Sequence, residues 1–132
     1  MKRYVQEQGS AQARRLLRKH RILTSAIAPT EAISALSRRR ALEELTATHF
    51  AATLERIEAD RAYWELVEVS VFVLKEADEV ILKTGLRTLD AIHLASMRIF
   101  QATSGIQIPF ITGDIKQREA AAHVGLDAIW VG

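Results

Sequence analysis

The chain contains no cysteine. That absence excludes disulfides, thiolate zinc sites and cysteine nucleophiles, leaves a reducing compartment open, and assigns any chemistry to oxygen and nitrogen ligands. Apolar runs are short as well: none approaches the ~18 residues of a membrane span. The N-terminus, MKRYVQEQGS, starts positive but lacks the apolar stretch of a secretory signal, so the expectation is a cytoplasmic protein without a membrane partner. Also missing are G-x-G-x-x-G, G-x-x-x-x-G-K-[ST] and G-x-S-x-G, the signatures of dinucleotide binding, P-loop phosphate binding and an elbow serine. The four histidines, His20, His49, His93 and His123, have no short metal-ligand spacing, which argues against zinc. Carboxylate chemistry is what remains.

The 132 residues, 48% hydrophobic and 26% charged, suit one soluble domain able to bury a core. A net charge of only +2 conceals clustering: Arg14, Arg15, Arg18, Lys19 and Arg21 form one basic stretch, and Arg38, Arg39 and Arg40 another. Such clusters gather phosphate backbones by counterion release, although solvated helix faces are the commoner reason for either one alone.

Gly9-Ser10 predicts a turn and an N-cap for a basic helix over about 10–20, and Ile22 to Thr24 a short strand. Helical spacing of Ile27, Ala32, Ala35 and Leu36 predicts a helix over 27–41, with Pro29 in its first turn. Thr46 caps the next helix, where Phe50, Leu54 and Ile57 mark one buried face, and which ends before Tyr63. A strand follows at 66–69, then a helix from Ser70 to Lys83 terminated by Gly85. Thr88 is expected to cap a helix over 89–102. IPFIT at 108–112 is a strand, 114–124 a helix closed by Gly125, and DAIWV at 127–131 a last strand. Strands separated by helices of this length make parallel crossovers, so the fold class is α/β with a mostly parallel sheet.

Within LRTLDAIHLASMRIF, residues 86–100, Asp90 interrupts the apolar density of a buried helix, where an unpartnered carboxylate would be costly. Two other acids stand in unusual settings, Glu31 beside Pro29 and Asp114 just past a strand. Each has an ordinary explanation. Glu31 suits a solvated helix face, Asp90 a helix dipole, and Asp114 a turn and N-cap. His93, one turn after Asp90, reads as a packing residue.

TSAIAPTEAISAL, LRTLDAIHLA and FITGD, in this order, resemble the PIN-domain family, especially VapC-type toxin endoribonucleases. The resemblance runs through nearly the whole chain and is most specific in LRTLDAIHLA. It implies a three-layer α/β/α fold in which Glu31, Asp90 and Asp114 converge at the carboxyl ends of the strands as catalytic residues and ligands of Mg²⁺ or Mn²⁺. Hard cations of this kind take oxygen ligands and relieve the repulsion between neighbouring carboxylates. The implied reaction is hydrolysis of an RNA phosphodiester by a metal-activated water, with Arg14, Arg15, Arg18, Arg38, Arg39 and Arg40 as backbone contacts. The implied partners are RNA, a small antitoxin and a second copy of the chain in a homodimer.

PIN domains similar to this one begin with a hydrophobic strand that carries an aspartate, and this sequence starts at the segment after it. Residues 1–10 hold only Tyr4 and Val5 as strand-forming apolar residues and no Asp. The expectation is therefore a sheet lacking the family's first strand and a site lacking one acid, through a late start codon, a truncation or a decayed gene. On that expectation the rival function is a catalytically inactive scaffold that binds RNA or an antitoxin. An unrelated α/β regulatory domain with Asp90 or Asp114 as phosphate acceptor is disfavoured, because no second acid adjoins either in sequence and no suitably placed Lys follows a strand.

Overall fold

The computed structural model describes residues 22–131. The expected basic helix over 10–20, with Arg14, Arg15 and Arg18, and the expectation for residues 1–10 lie outside the described residues. Chain contacts divide the protein into two compact units, Met1–Glu65 and Leu66–Gly132.

In the first unit, β1 (Leu23–Ser25) leads into α1 (Ala28–Ala41), and α2 (Ala47–Arg61) follows. The unit's last residue, Glu65, opens β2 (Glu65–Val67), and its N–H donates to the Ile22 carbonyl at 2.9 Å. Pro29 occupies the first turn of α1, where its missing N–H costs nothing. The helix closes with a Schellman motif: Glu43 donates to the Arg40 carbonyl at 3.0 Å and Glu44 to the Arg39 carbonyl at 2.9 Å. Glu43 sits there at φ 59°, a left-handed conformation that glycine adopts more readily. Thr46 caps α2 as expected, its Oγ1 accepting the His49 N–H at 3.1 Å. The two helices pack on each other and fully bury Leu36 and Ile57, with Phe50 and Leu54 half-buried along the same stripe as Ile57.

In the second unit, α3 (Val71–Thr84) and α4 (Thr88–Ser104) make the most extensive helix pairing. Val73, Ala77 and Val80 on one and Ala91, Leu94 and Ala95 on the other supply buried apolar surface. Ser96 is fully buried among them, and its hydroxyl is satisfied by donating to the Ile92 carbonyl at 2.7 Å. Arg98 on α4 forms an ion pair with Glu76 on α3. Ser70 Oγ caps α3 by accepting the Val73 N–H at 3.2 Å, and Gly85 ends it in the left-handed region at φ 71°.

The rest of this unit is β3 (Phe110–Thr112), α5 (Ile115–His123) and β4 (Ala128–Trp130). β3 and β4 pair in parallel, Ile111 opposite Ile129, with α5 as the crossover between them. The α/β class and the parallel crossover read from the sequence are thus present, and β1 pairs with β2 in a second two-stranded sheet.

Two local expectations need correction. Thr88 is not the cap of α4: Arg87 is, and Thr88 is the first helical residue. Starting one residue earlier lets the Arg87 carbonyl accept the Ala91 N–H at 2.9 Å, which adds a helical hydrogen bond. The strands are also shorter than their apolar runs, because ladder pairing, and not composition, sets their ends; Ile108 instead offers its carbonyl to Gln101 Nε2 at 2.9 Å.

Candidate functional site

Thr112, 4% exposed, ends β3, and the chain turns through Gly113 into Asp114. The Thr112 hydroxyl accepts the backbone N–H of Asp114 at 3.0 Å, which fixes the turn. Asp114 is then the N-cap of α5, its Oδ1 accepting the N–H groups of Lys116 at 2.8 Å and Gln117 at 3.3 Å. The ordinary role weighed for this acid is therefore real. One oxygen performs it; the other accepts no hydrogen bond among the described residues. The turn lies at the carboxyl end of a parallel strand, where open α/β sheets present their ligands.

Asp90 occupies the first turn of α4, with its side chain 24% exposed. Its Oδ1 accepts the side-chain amide of Gln117 at 3.3 Å. Its Oδ2 lies 3.8 Å from Nε of Arg87, whose side chain is 88% exposed, so solvent screens that pair and its strength is small. Gln117 thus touches both acids, Asp114 through its backbone N–H and Asp90 through its amide. Both carboxylates stand at helix N-termini, where unpaired N–H groups meet negative charge.

Glu31 is half-buried in the first turn of α1 and belongs to the first unit, whereas Asp90 and Asp114 belong to the second. Among the described residues no group of three or more His, Cys, Asp or Glu side chains is gathered for a metal ion. The basic cluster on α1 is partly engaged: Arg39 pairs with Glu44 at 3.5 Å, Arg40 Nη1 donates to the Leu45 carbonyl at 2.9 Å, and Arg38 is exposed. His93 is half-buried.

Thr112 and Gln117 were not among the residues singled out by sequence. The signal for Gln117 was there in part: Asp114 and Gln117 have the N-cap and third-position spacing of a capping box, in which the glutamine side chain reaches back to the N-cap N–H. Here Thr112 takes that N–H, and the Gln117 side chain is released toward Asp90.

The sequence matches the PIN domain family model over residues 4–123. The chain belongs to the PIN domain family. PIN domains are a nuclease-type fold, so Asp90 and Asp114, joined through Gln117, lie in a fold associated with nucleic-acid cleavage. No curated protein matches the chain. No helix among the described residues is long and apolar enough to cross a membrane.

The donor set of the PIN domain suits a hard divalent cation. Asp90 and Asp114 offer carboxylate oxygens only, and Mg²⁺ is commonly held by one or two carboxylates with waters completing its shell. Asp114 retains an oxygen outside the cap, and Asp90 is partly open to solvent.

Proposed function

We propose that this PIN domain is a metal-dependent endoribonuclease, the VapC-type toxin of a toxin–antitoxin pair, with Asp90 and Asp114 holding Mg²⁺ or Mn²⁺. The observation that carries this reading is the shared anchoring of Asp90 and Asp114 by one residue at the end of a parallel strand. A divalent cation shared by the two carboxylates would relieve the repulsion between their like charges.

Asp90 and Asp114 would hold the cation, whose chemistry there would be an activated water and positive charge for the oxygens developing on phosphorus. The chain's own residues do the rest. Thr112 fixes the turn at Asp114, and the α5 N-terminus holds its carboxylate by one oxygen, so that the other is presented to a ligand. Arg87 and Lys116, exposed beside the two acids, offer cationic partners to RNA phosphates. Arg38 extends this reading to backbone contact on the first unit.

The second reading is a PIN scaffold that binds RNA or an antitoxin without cutting. It draws on the absence of a three-acid group among the described residues. Incubating the purified chain with end-labelled single-stranded RNA and Mn²⁺ separates the two. The endonuclease yields internal fragments whose appearance stops on chelation, and the scaffold shifts the RNA in a gel without shortening it.

A further inference from the structure

A relay of directed hydrogen bonds crosses the candidate site. The Asp114 N–H donates to Thr112 Oγ1 at 3.0 Å, which uses one of that hydroxyl's two lone pairs. Its single proton then has two acceptors in reach, the Asp114 carbonyl at 3.4 Å and Gln117 Oε1 at 2.9 Å, and the shorter contact is to Gln117. With Oε1 facing Thr112, the Gln117 amide turns Nε2 toward Asp90, where it donates to Oδ1 at 3.3 Å. The Asp90 carboxylate, which only accepts, takes the donor end of the amide, and the hydroxyl of the nearly buried Thr112 donates to the other end.

We infer that Gln117 is a positioning residue, its side chain orienting Asp90 and its backbone N–H holding Asp114, so that the two carboxylates face one divalent cation together. The inference rests on the metal-dependent reading above and adds to it a residue for which helix capping alone gives no reason. A glutamine serving α5 would bond back to the N-cap N–H, and Thr112 has taken that partner. The connection spans 27 residues of sequence and ties α5 to the first turn of α4. Partners of metal-ligating carboxylates that stand one shell out typically change metal affinity or activity by about 10- to 100-fold when removed.

The test uses the full chain and Mn²⁺ alone, without RNA. Gln117→Leu removes both side-chain hydrogen bonds and leaves the backbone N–H on Asp114. It is expected to melt within a few degrees of the unaltered chain and to bind Mn²⁺ about tenfold more weakly by calorimetry. In an Asp90→Asn background the same substitution is expected to cost no further affinity. Should Gln117→Leu fail to fold, Gln117→Met carries the same expectations. A second readout needs no metal: the side-chain amide resonances of Gln117 should move when Asp90 becomes Ala. Unchanged Mn²⁺ affinity in Gln117→Leu, an equal loss in both backgrounds, or amide resonances indifferent to Asp90→Ala would each overturn the inference. If the unaltered chain binds no Mn²⁺ at all, the metal reading fails instead, and the amide resonances still decide whether Gln117 orients Asp90.

Discussion

Asp114 Oδ1 accepts the backbone N–H of Lys116 at 2.8 Å, so this acid is at once the N-cap of α5 and a candidate metal ligand. The two roles separate under substitution. Serine is as good an N-cap as aspartate, whereas alanine costs about 1 kcal/mol at such positions. Asp114→Ser is expected to leave the urea unfolding midpoint close to that of the unaltered chain and to abolish RNA cleavage; Asp114→Ala should lose both. Full activity in Asp114→Ser would show that the acid only caps.

Backbone conformation gives a paired prediction with opposite signs. Gly85 at φ 71° has open space where a Cβ would stand, so Gly85→Ala carries only the left-handed penalty and should cost about 1 kcal/mol. Glu43 bears that penalty already at φ 59°, and Glu43→Gly should recover roughly 0.5–1 kcal/mol. Both are read from chemical denaturation. A destabilised Glu43→Gly chain would mean that the glutamate side chain contributes more than the helix end it closes.

Arg38 and Arg40 of α1 should behave differently from each other. Arg38 is exposed, and Arg38→Ala is expected to weaken RNA binding and lower the slope of log affinity against log salt by roughly one. Arg40 holds the Leu45 carbonyl, so Arg40→Ala should also reduce stability by a few tenths of a kcal/mol. Filter binding across a salt series checks the RNA affinity and urea denaturation the stability, and a slope unaltered by Arg38→Ala would remove this residue from the RNA contact.

What the sequence revealed and what it concealed follow from the range of each interaction. Caps at Thr46, Ser70 and Asp114 were legible because an N-cap oxygen reaches only two or three residues ahead. The helix faces were legible for a similar reason: Leu36 and Ile57 recur at helical spacing with their apolar neighbours, and both are fully buried. Arg87 displaced Thr88 as the cap of α4 because one additional backbone bond outweighed a side-chain preference, a margin that composition does not display. Strand ends were misplaced for want of the partner strand, which register alone supplies. Gln117 was invisible as a site residue since its partner, Asp90, lies 27 residues away and its own spacing to Asp114 suggested an ordinary capping box.

The central claim is that the acids of this PIN domain cut RNA through a divalent cation, and one assay addresses it most directly. End-labelled single-stranded RNA is incubated with the chain and with Asp90→Asn, each in Mn²⁺ or Mg²⁺, with and without EDTA. Replacing one carboxylate by its amide preserves shape and removes the charge that holds the ion and places the attacking water. The expected result is internal cleavage by the unaltered chain only, silenced by EDTA and restored by excess metal, while Asp90→Asn still retards the RNA in a gel. Cleavage by Asp90→Asn at the unaltered rate, or cleavage indifferent to EDTA, would contradict the claim.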